Sequence, residues 1–143
     1  MPTKTIENRE DLARLVDTFY SKIREDSLLG PIFNKHIEGE QWPDHLSKLT
    51  DFWETNLFGL PKFKGSPSRK HIEVDKMANH SITPTHFGKW VQLWFETIDD
   101  LYSGDLADKA KQAARKMSTG QYLAIWQSRP ENSSEKDSRL KIL

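Results

Sequence analysis

Thr83-Pro84-Thr85-His86-Phe87-Gly88-Lys89-Trp90-Val91-Gln92-Leu93-Trp94-Phe95-Glu96-Thr97-Ile98-Asp99-Asp100-Leu101-Tyr102 is the stretch that decides the fold class. Its residues Phe87, Trp90, Val91, Trp94, Phe95, Ile98, Leu101 and Tyr102 recur every three or four positions, the period of one helix face. Thr83 reads as the cap and Pro84 as the first helical residue, where a missing N–H costs nothing. Ser103-Gly104 breaks the helix. An apolar stripe of this length needs other helices to cover it, and the chain on both sides supplies them.

Upstream, Leu12, Leu15, Val16, Phe19, Tyr20 and Ile23 form a second buried face, with Asn8 as its N-cap and Glu10 and Asp11 near its positive end. Gly30-Pro31 is expected to stop that helix, and Pro31 to Ile37 reads as a short turn carrying Ile32 and Phe33. A third stripe runs through Trp42, His45, Leu46, Leu49, Phe52, Trp53, Asn56 and Leu57, with Pro43 in its first turn and Gly59 and Pro61 at its end. Ser66-Pro67 then caps and starts a short helix holding Arg69, Lys70, His71, Ile72 and Val74. Downstream, a helix from about Asp105 to Trp126 carries Leu106, Ala110, Ala113, Ala114, Met117, Tyr122 and Ile125. Its alanines permit close approach, while Gly120 weakens its interior by ~1 kcal/mol relative to Ala. The polar run from Gln127 reads as a disordered tail, which divides the chain into an all-α domain, residues 6–126, and a tail, residues 127–143.

The 143 residues suit one domain, and 36% hydrophobic with 29% charged residues is an ordinary globular composition. Twenty-one basic residues balance twenty-one acidic ones, which argues against a nucleic-acid partner. There is no cysteine, so thiolate metal sites, thiol nucleophiles and disulfides are excluded, in keeping with a cytoplasmic location. No run approaches the ~20 apolar residues of a membrane span, and the start lacks the apolar core of a signal peptide.

Tyr20, His45 and Trp90 are polar-tipped residues on three different apolar stripes. Each alone has an ordinary explanation, a backbone carbonyl or a water as partner. Converging, they would form a small polar site in an apolar pocket, suited to a small ligand. The five histidines, His36, His45, His71, His80 and His86, form no i,i+4 pair and no His-Glu-x-x-His, so a protein-only zinc site has little support. Gly-x-Ser-x-Gly and glycine-rich phosphate loops are absent as well. A histidine acting alone remains, as in haem ligation by one imidazole with the opposite face open. His71, with Ile72 and Val74 able to pack on an apolar macrocycle, is a candidate for that role.

At these residues the sequence resembles the truncated haemoglobins, and within them group III, from about Ile6 to Trp126. Phe19-Tyr20 is similar to the family's tyrosine that faces the bound gas. Leu29-Gly30-Pro31-Ile32-Phe33-Asn34 resembles the stretch ending in a phenylalanine on the haem. His45, Leu49 and Phe52-Trp53 match the distal-helix histidine and its apolar wall. Lys64-Gly65-Ser66-Pro67-Ser68-Arg69-Lys70-His71 resembles the segment with the proximal histidine, and Thr83 to Trp90 the start of the next helix with its distal tryptophan. The seven glycines include no adjacent pair, which departs from groups I and II. The stretch from His71 to Trp90 is longer than the family's by a few residues around Asp75 to Ser81. This offers His80 as a second imidazole; the match immediately before His71 favours His71, and His80 reads as a solvated loop residue.

The resemblance implies a shortened globin, a two-over-two helical sandwich around haem b (iron protoporphyrin IX). It implies His71 as the iron ligand and Tyr20, His45 and Trp90 as the distal residues. Candidate haem contacts are Phe33, Leu49, Phe52, Trp53, Phe87 and Trp90, with Val91 and Trp94 as further wall residues. Lys70, with Lys64 and Arg69, would face the propionates or form a solvated basic surface. The expected function is reversible binding of dioxygen or another diatomic ligand, nitric oxide or carbon monoxide. A haem redox enzyme is the alternative, peroxidase-like or a nitric oxide dioxygenase, and it would need an external reductase because the chain has no flavin or nicotinamide domain. A haemless helical module that binds a partner protein is the third reading.

Overall fold

The computed structural model describes residues 3–65 and 67–132, with only the backbone of Ser68; Ser66, the expected cap, lies outside them. Among the described residues, six α-helices follow in order: α1 (Arg9–Glu25), α2 (Gly30–His36), α3 (Trp42–Phe58), α4 (Pro67–Met77), α5 (Pro84–Leu101) and α6 (Asp105–Ser128). The 3-10 turns Gly39–Gln41 and Pro130–Asn132 precede α3 and follow α6.

Local chemistry explains most boundaries. The Asn8 side chain accepts the Asp11 amide N–H at 3.0 Å to start α1, whose entire expected stripe is buried. The end of α1 differs from expectation. It stops at Glu25, because the Asp26 carboxylate accepts the Leu28 and Leu29 amides at 3.0 and 2.9 Å and turns the chain. Gly30-Pro31 therefore opens α2 rather than stopping α1, and what reads as a turn in sequence is a seven-residue helix. Gly30 is needed there for closeness: a Cβ would lie 2.6 Å from the Arg24 carbonyl oxygen. Gly59, at φ 72°, closes α3 in the left-handed conformation. At Thr83 the cap is completed by His86, whose Nδ1 accepts the Thr83 N–H at 2.9 Å.

α1 pairs with α3 and α5 with α6; α1 also crosses α5, α3 reaches α6, and α4 docks on α6. This is the expected all-α arrangement of two helix pairs. An aromatic column runs through its centre. Trp94 of α5 stacks on Trp53 of α3 at 4.6 Å and on Trp90 at 5.9 Å, with Phe19 of α1 edge-on to Trp90 and Trp94. The Trp94 indole N–H donates to the Ala110 carbonyl at 3.2 Å, a contact possible because Ala107, Ala110 and Ala114 let α6 approach closely. The N-terminal segment is tied in by a bridge between Lys4 and Tyr102 and by the Tyr102 hydroxyl, which donates to the Asp11 carbonyl at 2.7 Å.

The C-terminal boundary also moves. Gln127 and Ser128 continue α6, and Arg129 turns back onto Asp75, so the described chain stays folded to Asn132 where a loose tail was expected from residue 127. The physical reason is an ion pair that local composition does not reveal; the rest of the expected tail lies outside the described residues.

Candidate functional site

Tyr20 is the hub of the site. Its side chain projects from the buried face of α1, and burial pushes the phenol up to about 12, although the influence of the Trp90 indole pulls the other way. The phenol therefore keeps its proton throughout the neutral range. Around it stand Phe33 of α2 at 5.9 Å, Trp42 of α3 at 6.0 Å and His45 of α3 at 6.1 Å between ring centroids. The structure thus brings Tyr20, His45 and Trp90 together from three helices. Trp42 joins them and was missed as a site residue. It lies 5.4 Å from His45, is buried, and its indole N–H has no partner among the described residues. Its place first in the α3 stripe was the only sequence signal.

His45 is half-buried. Burial lowers its pKa first, and the nearby Lys48 and Lys70 ammonium groups lower it further against the opposing Asp44. It is neutral at pH 7. The same influence puts the exposed Lys70, at the start of α4, within electrostatic reach of α3.

Leu49 and Phe52 follow His45 at i+4 and i+7, so all three share one face of α3. Both are half-buried apolar residues, and Phe52 meets Phe63 edge-on at 5.2 Å. On α5, Phe87, Trp90 and Val91 form a matching half-buried face. Trp53 and Trp94 are 2% and 0% exposed and stacked on each other, in the core behind these two faces.

His71 stands against this α5 face, its ring perpendicular to Phe87 at 5.7 Å. Nδ1 lies 3.0 Å from the Gln121 side-chain oxygen on α6. Burial holds the imidazole below its ordinary pKa, with the Gln121 contact opposing, so it too is neutral at pH 7. Phe87 and Trp90 are three residues apart on α5, one turn and ~4.5 Å along the axis. One helix face therefore carries His71 at one end and Tyr20, through Trp90, at the other. Gln121 was also missed. Its signal was an amide four residues after Met117 and four before Ile125, on an otherwise apolar stripe.

His80 takes a different place from that expected. It is not a freely solvated loop residue: its Nδ1 is 3.1 Å from the fully buried Asp75 carboxylate, and it adopts φ 57° to get there. Asp75 also accepts Arg129 Nε at 3.1 Å, Arg129 Nη2 at 3.0 Å and the Ile82 amide at 3.2 Å. Residues 75–81 thus form the last turn of α4 and a left-handed corner locked by one carboxylate.

Among the described residues, one surface cavity of about 400 Å³ lies between α1 and α3 beside Arg9 and Thr50, and another of about 400 Å³ beside Ile37, Gln41 and His45. Neither is lined by His71.

No protein-family model matches the sequence. A group 3 truncated hemoglobin of Campylobacter jejuni is 32% identical over 110 residues, covering 76% of this chain and 83% of that protein. The crystal structure of a group III truncated hemoglobin from the same organism superposes with a TM-score of 0.76 at 28% identity, covering 86% of this chain and 95% of that one.

Proposed function

Because this chain belongs to the group III truncated haemoglobins, we propose that it binds haem b through His71 and reversibly holds a diatomic ligand, dioxygen first, beside Tyr20 and Trp90. The observation that carries this reading is the single α5 face that joins His71, through Phe87, to Tyr20, through Trp90. The donor set fits the group. A neutral imidazole with Nδ1 engaged by Gln121 retains a lone pair on Nε2, the atom a haem iron takes. The half-buried apolar faces of α3 and α5, with Leu49, Phe52, Phe87 and Trp90, and Phe33 beside Tyr20, suit an apolar macrocycle. Lys70, exposed on α4, is available to its propionate carboxylates.

When bound, haem supplies the metal centre at which a diatomic gas is held. The chain's own residues do the rest. The Tyr20 phenol, protonated up to high pH, donates a hydrogen bond to a ligand that carries partial negative charge, and the Trp90 N–H is a second donor. The buried aromatic surroundings exclude water and strengthen both. No helix among the described residues is long and apolar enough to cross a membrane.

A second reading, peroxide chemistry, draws on His45, a neutral imidazole 6.1 Å from the Tyr20 ring and able to take up a proton. Multiple turnovers with peroxide would favour it; reversible binding without turnover favours the first.

Absorption spectra in ferric, ferrous and carbon monoxide-bound forms test the proposal. His71→Ala is expected to lose the wild-type ferrous carbon monoxide spectrum and His80→Ala to keep it. The reverse pattern overturns the assignment, and a colourless protein that refuses added haemin overturns haem binding altogether.

A further inference from the structure

The side chain of Gln121 presents its amide oxygen to His71. It comes from α6, whereas His71 lies on α4, and the two helices dock against each other. Among the described residues, the polar contact of His71 is Nδ1 to the Gln121 oxygen at 3.0 Å. A carbonyl oxygen accepts but cannot donate, so this contact is satisfied when the neutral imidazole carries its proton on Nδ1, which leaves the lone pair on Nε2. The same bond restrains rotation of the ring about its attachment, together with the perpendicular Phe87 ring. The acceptor is neutral. A carboxylate at this position would draw the Nδ1 proton toward itself and make the imidazole a stronger electron donor; an amide does so much less.

We propose that Gln121 is the positioning residue for His71, selecting its Nδ1–H tautomer and holding it as a modest electron donor to a bound metal. The proposal rests on the reading of His71 as the haem ligand. It also deepens that reading: a weakly donating imidazole suits reversible binding of a gas, whereas a carboxylate partner would favour heterolytic redox chemistry.

The test uses the haem-loaded protein with Gln121→Leu, which removes the acceptor, and Gln121→Glu, which replaces it with a charged one. In the diamagnetic ferrous carbon monoxide form, the His71 Nδ1–H proton is followed by NMR. Loss of one hydrogen bond in Gln121→Leu is expected to speed its exchange with solvent roughly 2- to 13-fold. In the ferrous form, the iron–histidine stretch should rise in Gln121→Glu and fall in Gln121→Leu, while the midpoint potential moves down in the first and up in the second. Opposite shifts distinguish an electronic role from a structural one, since a packing defect has no reason to change sign with the acceptor. Unchanged Nδ1–H exchange, or stretches and potentials that move the same way in both variants, overturns the proposal. Failure of the underlying reading shows separately: His71→Ala then keeps the wild-type ferrous carbon monoxide spectrum whatever the Gln121 variants do.

Discussion

Asp75→Asn removes the charge from a carboxylate that has no exposed surface and that four donors converge on: two Arg129 nitrogens, the His80 ring and the Ile82 amide. Asparagine keeps one acceptor oxygen but presents its NH2 to a guanidinium, donor against donor. Arg129, with only 12% of its side chain exposed, loses its counter-charge and retains the Ile82 carbonyl as an acceptor. Breaking a buried pair by removing one partner costs about 3–5 kcal/mol, and the surviving Ile82 bond favours the lower end. At 2–4 °C per kcal/mol for a chain of this size, that is a fall of roughly 6–12 °C in Tm. Circular dichroism melts and urea titrations of wild type, Asp75→Asn, Arg129→Met and the double variant measure it. The double variant should lose less than the sum of the singles by at least ~1 kcal/mol. The acid limb gives an independent reading. Burial pushes the Asp75 carboxyl up, yet hydrogen bonds from Arg129, His80 and the Ile82 amide outweigh it and hold the group below its ordinary range. A depressed folded value contributes stability that is full above the unfolded pKa of about 4 and is lost as pH falls through the folded value. Wild type should therefore lose more stability than Asp75→Asn on acidification below about pH 4. A loss under ~1 kcal/mol with additive single variants would refute the buried-pair argument.

Tyr20→Phe removes one donor to a partly charged ligand, worth ~1.5–3 kcal/mol, so dioxygen should dissociate roughly 10- to 150-fold faster in stopped flow; unchanged kinetics would exclude Tyr20 as the main donor. The raised Tyr20 pKa stabilises the fold fully below about pH 10, and that contribution disappears as pH climbs toward about 12. Ultraviolet titration should accordingly show a late-ionising tyrosine that is missing from Tyr20→Phe. Gly30→Ala should destabilise by ~1–3 kcal/mol, because its Cβ meets a backbone oxygen that cannot swing away. Gly120→Ala, with no atom within 4 Å of the added Cβ inside α6, should stabilise by ~1 kcal/mol. Thermal melts of the two glycine variants should move in opposite directions.

The periodic features were legible because each is a property of neighbouring positions. Three-and-four spacing placed α1, α3, α5 and α6, and the proline and glycine punctuation placed the starts of α3 and α5 and the end of α3. The start of α2 was misread since Gly30-Pro31 signals a helix end as readily as a helix beginning. Asp26, by capping the turn before it, decides between the two.

By itself, then, the sequence determined an all-helical chain, its amphipathic faces, and the ordered set of aromatic and histidine residues that marks the family. Tertiary structure alone decided which residues meet across helices. It put Trp53 and Trp94 into a closed stack, joined Trp42 to the Tyr20 cluster, gave His71 an amide partner fifty positions away, and bound Arg129 to Asp75 at a distance of fifty-four. The physical reason is the range of the interactions. Helix formation and capping depend on residues within one or two turns, whereas an ion pair or a side-chain hydrogen bond depends on which faces the folded packing brings within 3 Å or so.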